Sequence, residues 1–185
     1  MTFLRSTPGP TNLAERREHP GKGAAVIVES VHHGNSLKVA RTIAAVLNAD
    51  ILTPDQCGEV DLRQYRLIGM GSGIYFGRHH RSLRQLGRSL PEPAAPVFLF
   101  STSGLPFLPR LFHWSLRRTL SSRGWNVVGE FNCRGWDTVG PLFLMGGLNR
   151  RHPDPHDLDR AASFAMRLAD LTLNATDTER VVKAK

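Results

Sequence analysis

Apolar residues first cluster between Ala24 and Val28, a short run rich in β-branched side chains that reads as a strand covered on both faces. A polar stretch, Ser30 to Ser36, follows at once. Beyond it Leu37, Ala40, Ile43, Ala44 and Leu47 return at helical spacing, with Lys38, Arg41 and Asn48 turned elsewhere. The same succession repeats down the chain. Further short strands are predicted at Ala49–Leu52, Leu67–Gly71, Val97–Phe100 and Asn126–Asn132. Between them Leu83, Leu86 and Leu90 make one helical stripe, and Pro109 opens another helix in which Phe112, Leu116 and Leu120 share a face until Gly124 stops it. The last helix takes Asp154 as its N-cap and Pro155 as its first residue, with Leu158, Ala161, Ala162, Ala165 and Leu168 on its apolar side. One further short helix fits between Gly58 and Tyr65.

Strands alternating with helices of this length imply a parallel sheet with right-handed crossovers and helices on both faces. Five strands fit a doubly wound three-layer sandwich of order 2-1-3-4-5, in which ligands bind beyond the carboxyl ends of the strands, beside strands one and three. The loops Ser30–Ser36, Ser72–Gly77 and Ser101–Leu105 are therefore the candidates for a site. Residues 1–22 mix Pro, Gly, Thr and charge without periodicity and are expected to be a disordered basic leader. Residues 23–172 are expected to form one domain, and 173–185 a flexible tail.

Composition adds limits rather than a function. The chain of 185 residues is long enough for one full core, no apolar stretch approaches a membrane span, and the N-terminus lacks a secretory block, so the cytoplasm is the expected location. Cys57 and Cys133 are too few for a disulfide framework and lack zinc-ligand spacing, which makes reduced thiols the expectation. The formal charge is +8; the leader carries +2 and the tail +1, so +5 belongs to the domain. That excess favours an acidic partner, while no nucleic-acid recognition motif is present.

The first loop offers hydroxyls at Ser30 and Ser36, an amide at Asn35, imidazoles at His32 and His33, and Gly34 where the backbone can bend. It ends on a helix N-terminus, whose N–H groups and dipole favour an anion such as phosphate. A polar turn that merely caps the helix uses the same residue types. The Lys of a nucleotide-triphosphate loop and the spacing of the dinucleotide fingerprint are both missing. In the second loop, glycines bracket the aromatic pair Tyr75 and Phe76, which can flank a planar ring or pack against the next helix. The third, Ser101-Thr102-Ser103-Gly104-Leu105, is small, polar and uncharged, suited to presenting backbone groups to a heterocycle. Together they suggest a phosphorylated planar cofactor.

With these loops the chain resembles the flavodoxin family, in a branch whose phosphate loop reads S-x-H-H-G-N-[ST]. The resemblance runs from Gly23 to about Thr172 and rests on S-V-H-H-G-N-S at 30–36, G-S-G-I-Y-F-G at 71–77, S-T-S-G at 101–104 and C-R-G-W-D-T-V-G-P at 133–141. It implies a flavodoxin-like fold and an FMN-binding electron-transfer protein. Ser30, His32, His33, Gly34, Asn35 and Ser36 then match the phosphate-holding positions, while Ser72, Gly73, Ile74, Tyr75 and Phe76, and Thr102, Ser103, Gly104 and Leu105, match the loops flanking the isoalloxazine. No catalytic side chain and no metal site are implied. Where familiar flavodoxins are acidic around the flavin, this chain carries Arg78, His79, His80, Arg81, Arg84 and Arg88. Acidic redox partners docking near Arg78, Arg81 and Arg84 follow as an expectation, as does a less negative potential for the fully reduced flavin. The long connection from Cys133 to Pro153, with Trp136 and Met145, is expected to cover the sheet edge, or else to form a lid or docking surface. Two alternatives stay open. One is an FMN-dependent reductase or oxidase acting on a quinone, porphyrinogen or similar small substrate; the other is a flavin-free phosphate-ligand or docking module on the same fold.

Overall fold

The computed structural model describes residues 22–31, 34–93, 95–104, 109–135, 149 and 151–183. Strand β1 (Lys22–Glu29) leads into α1 (Asn35–Leu47) and β2 (Asp50–Leu52). Two short 3-10 turns follow, Asp55–Gly58 and Leu62–Gln64, the second of them within the segment Gly58–Tyr65 where one short helix is predicted. Then come β3 (Tyr65–Tyr75), β4 (Arg78–His79), α2 (Arg81–Ser89), β5 (Val97–Ser103), α3 (Pro109–Ser122), β6 (Val127–Arg134) and α4 (Pro155–Lys183). The parallel strands run in the order β2-β1-β3-β5-β6, and β4 pairs antiparallel with the end of β3. The predicted doubly wound sheet is thus present, with one additional strand. Helix α4 runs on to Lys183, into the residues expected as a tail.

Period-two alternation in β1 builds both cores. Ala24, Val26 and Val28 face α1 and α4, meeting Val39, Ile43, Phe164 and Leu168, while Ala25 and Ile27 face α2 and α3, meeting Leu83, Leu116 and Leu120. Strand β5 repeats the division, with Phe98 and Phe100 on the α1–α4 side and Val97 and Leu99 on the other. The Phe98 and Phe100 rings lie across Gly69 and Gly71 of the neighbouring strand, where any Cβ would collide with them. Those glycines make up, by seating two rings, for the poor intrinsic preference of glycine for a strand.

The ends of the elements follow their local chemistry. Asn48 closes α1 in a left-handed conformation (φ 47°), its N–H donating to Ala44 O. At the start of α4, Asp157 N–H donates to Asp154 Oδ1 at 2.8 Å and Asp154 N–H to Asp157 Oδ2 at 3.3 Å, a reciprocal cap on the predicted N-cap residue.

Candidate functional site

The sheet register brings the three predicted loops to one edge. Glu29 at the end of β1 pairs with Ser72 on β3, and Gly73 pairs with Thr102 on β5. In the first loop the Ser30 hydroxyl accepts Leu37 N–H at 3.3 Å, so it caps the opening turn of α1 from seven residues upstream. Gly34 sits at φ 68° with its carbonyl accepting Lys38 N–H at 3.0 Å, and a Cβ there would meet open space. The glycine is required by its left-handed backbone rather than by crowding. Asn35 and Ser36 are buried behind it, and Ser36 Oγ lies 2.9 Å from Thr102 Oγ1, joining the first and third loops. His32 and His33 lie outside the described residues.

The second predicted loop is a β-hairpin instead. Strand β3 continues through Tyr75, Phe76 (φ 49°) and Gly77 (φ 76°) make the turn, and β4 returns with Ile74 opposite His79 and Tyr75 opposite Arg78. Two consecutive left-handed residues match the right-handed twist of a tight hairpin. The turn throws the Phe76 ring into solvent, 93% exposed. Tyr75 remains half-buried with its ring edge-on to His80, and it fills the space beside Gly73, where a Cβ would lie 3.0 Å from the Tyr75 hydroxyl. Ser72 faces inward. Its hydroxyl donates to Gly73 O at 2.8 Å, accepts His80 N–H at 2.9 Å and lies 3.0 Å from His79 Nδ1. With the single hydroxyl proton on Gly73 O, the His79 proton belongs on Nδ1, an assignment made from the network.

The residues of the third loop are largely strand. Thr102 and Ser103 are buried within β5, and Gly104 follows with its carbonyl accepting Asn149 Nδ2 at 2.7 Å. Leu105 lies outside the described residues, as do 136–148 of the long connection. Gly135, from the fourth motif, packs where a Cβ would lie 3.0 Å from Thr102 Cβ and 3.3 Å from Asn35 Nδ2. All four motifs therefore converge.

Beneath the loops runs a buried polar network absent from the sequence reading. Asn132 Nδ2 donates to Ser101 Oγ at 2.7 Å, Ser101 Oγ lies 2.7 Å from His113 Nε2, and His113 Nδ1 points at Glu130 Oε2 from 3.5 Å. The His79 and His113 rings stack at 4.9 Å between centroids. Burial, the neighbouring His113 and the Arg84 charge hold His79 well below the ordinary imidazole range, so it is neutral. Burial works to raise the Glu130 carboxyl, but its contacts with His113 and Arg117 outweigh this and hold it below the usual range. One signal for this network was available: His113 precedes Leu116 and Leu120 at helical spacing, a polar residue on an otherwise apolar stripe.

On the α2 side of the hairpin lies a cavity of about 540 Å³. Val31, Tyr75 and Phe76 form its apolar wall, and Arg78, Arg81 and Arg84 its basic one, with His79 and His80 between. The predicted basic cluster thus gathers around a concavity, except for Arg88, which is exposed further along α2. The His152, Asp154 and Asp157 group, whose ligand atoms lie within 4.8 Å of one another, is accounted for by the α4 cap and by the 2.6 Å contact between His152 Nδ1 and Asp157 Oδ2.

A doubly wound sheet with its polar loops gathered at the switch point defines the flavodoxin-like class. A flavodoxin-domain family model matches residues 25–105. The chain is 44% identical over 142 residues to an uncharacterised protein of Methanocaldococcus jannaschii, an alignment covering 77% of this chain and 95% of that one. Its fold matches oxidised flavodoxin 2 from Bacillus cereus with a TM-score of 0.58 at 14% identity, over 80% of this chain and 99% of that one. It also matches a Lactobacillus acidophilus flavoprotein solved in complex with FMN, with a TM-score of 0.50 at 16% identity, over 60% and 93% of the two chains. The chain belongs to the flavodoxin family.

Proposed function

We propose that this protein binds FMN and carries electrons between redox partners. The observation that carries this reading is the meeting of the three loops at adjacent strand ends, fastened by Ser36 and Thr102, with the exposed Phe76 ring at the rim. The residues fit a phosphorylated planar group. Ser30, Gly34, Asn35 and Ser36 form a polar cradle at the positive end of α1 for the phosphate, with His32 and His33 beside them in sequence. Ile74, Tyr75 and Phe76 on the hairpin, and Thr102, Ser103, Gly104 and Leu105 on the third loop, are the flanking groups for the ring. Ser72 and Gly73 act through the backbone, since the Ser72 hydroxyl is committed to Gly73 O and His80 N–H.

When bound, FMN supplies the redox chemistry, and no side chain of the protein is assigned a catalytic role. The protein binds the phosphate, orients the ring between two loops and sets the local field. In that field Arg78, Arg81 and Arg84 favour acidic partner proteins. Cys57 and Cys133, whose thiols are pushed by burial up to about 11 and about 12, are unreactive at neutral pH and suit a reducing cytoplasm. Among the described residues no helix is long and apolar enough to cross a membrane.

A second reading, an FMN-dependent reductase or oxidase acting on a small substrate, draws on the cavity beside the hairpin. The deciding experiment is the visible spectrum of the purified protein followed by titration with FMN. Copurified flavin or saturable quenching of FMN fluorescence is expected; absence of both overturns the proposal. Exchanging Ser30 and Asn35 together for Ala should weaken FMN binding well before it weakens folding, because a lost cap costs only about 1 kcal/mol.

A further inference from the structure

We infer that the cavity beside the hairpin is a second ligand site, built for a small organic polyanion. Three guanidinium groups line it, from Arg78 on β4 and from Arg81 and Arg84 one turn apart on α2. Among the described residues none of the three has a carboxylate partner. Like charges one helical turn apart repel, so a cluster without counter-charge costs stability until an anion enters it. Glu29, at the end of β1, is already engaged: its carboxylate accepts the Ser82 hydroxyl at 2.7 Å and lies 3.8 Å from His80 Nδ1.

The same wall carries a second mark of an unfilled site. The Arg84 Nε–H donor is buried without a partner among the described residues. Buried polar atoms are nearly always paired, and an orphaned donor is costly to leave unmade. The opposite wall is apolar, with Val31 half-exposed and the Phe76 ring almost wholly so. A cavity of about 540 Å³ with one basic and one apolar wall has the size and chemistry for a small molecule carrying two or more carboxylates or phosphates on an organic body. Arg is the residue suited to either group, since its planar fork takes two oxygens at once.

This site lies apart from the phosphate cradle, which opens α1 on one face of the sheet while the cavity borders α2 on the other, but it adjoins the ring position through the shared Tyr75 and Phe76. The inference deepens the small-substrate reading but does not require bound flavin.

Calorimetric titration of the full-length protein, with and without added FMN, tests it with trimesate as the carboxylate probe and fructose bisphosphate as the phosphate probe. Inorganic phosphate serves as the bare-charge control. Saturable one-site binding of trimesate or of fructose bisphosphate is expected, at least tenfold tighter than inorganic phosphate, and the better probe identifies the acidic group. Arg81→Gln and Arg84→Gln should each weaken it tenfold or more, and the Ser30/Asn35 double Ala variant should leave it unchanged. Arg81 is exposed, so its variant reports even where Arg84→Gln does not fold. No saturation by either probe, equal binding of inorganic phosphate, or unchanged affinity in Arg81→Gln overturns the inference. Polyanion binding that persists while FMN fails to bind sinks the flavin reading alone.

Discussion

The Ser36 hydroxyl lies 2.9 Å from that of Thr102, a buried contact between residues 66 positions apart that fastens the opening turn of α1 to the end of β5. Thr102→Val keeps the shape but strands the Ser36 hydroxyl. A loss of about 1–3 kcal/mol is expected, or a Tm lower by roughly 2–4 °C for each kcal/mol in a chain of this size. Adding Ser36→Ala removes the stranded group, so the double variant should recover part of the loss. Thermal unfolding of the two variants beside the wild type checks this, and a double variant no more stable than Thr102→Val would show that the pair is not coupled.

Phe76 combines a left-handed backbone with an exposed ring, so its side chain contributes strain and little packing. Phe76→Gly is expected to stabilise the fold by up to about 1 kcal/mol, because glycine adopts φ > 0 without steric cost, offset in part by its greater unfolded-state freedom. The same substitution should weaken FMN binding severalfold by removing an aromatic contact worth about 0.5–1.5 kcal/mol. Opposite movements of Tm and FMN affinity are the expected signature. Affinity unchanged would remove Phe76 from the binding surface.

Stability should depend on pH through His79. Its folded value is depressed below the ordinary 6.5, so at mildly acidic pH the unfolded chain binds a proton that the folded one refuses. The contribution is therefore complete above pH 6.5 and is lost as pH falls below it, with a slope of at most about 1.4 kcal/mol per pH unit. Glu130, depressed from 4.5, adds a further loss only at lower pH. Urea unfolding between about pH 5 and pH 8 should show the slope in the wild type and a shallower one in His79→Gln; equal slopes would assign the dependence elsewhere.

The basic cluster should set the redox potential. Positive charge beside the flavin favours its reduced, more negative form, so replacing Arg81 and Arg84 by Gln is expected to make the potential more negative. The displacement should shrink as salt rises, because Arg81 is exposed and screened. A potentiometric titration of the FMN-loaded protein at two ionic strengths checks both points.

Much of this architecture was legible because its signals are local. Helical spacing from Leu37 to Leu47 and the Asp154-Pro155 start placed α1 and α4, and the apolar run Ala24–Val28 placed β1. The hairpin was not. Strand β4 has two residues, too few for any periodicity, and its turn places a Phe where Asn or Gly is the usual choice. The end of β3 also misled: the stretch from Ser72 reads as loop, yet β3 runs on to Tyr75 because Ser72 and Gly73 pair with Ser101 and Thr102 of β5. Likewise Ser101–Ser103 looks like a polar loop by composition. Those residues are buried strand because Asn132 and His113, distant in sequence, supply their hydrogen bonds.

Gly135 packs against Asn35 and Thr102 from beyond β6, well outside the stretch 25–105 that carries the three loops and the family signature. The recognisable half of the chain thus holds the furniture of the site without one of its walls. A cut in the connection before α3 would leave Gly135 on one piece and Asn35 and Thr102 on the other, so this packing of the loops arises only when both are folded together.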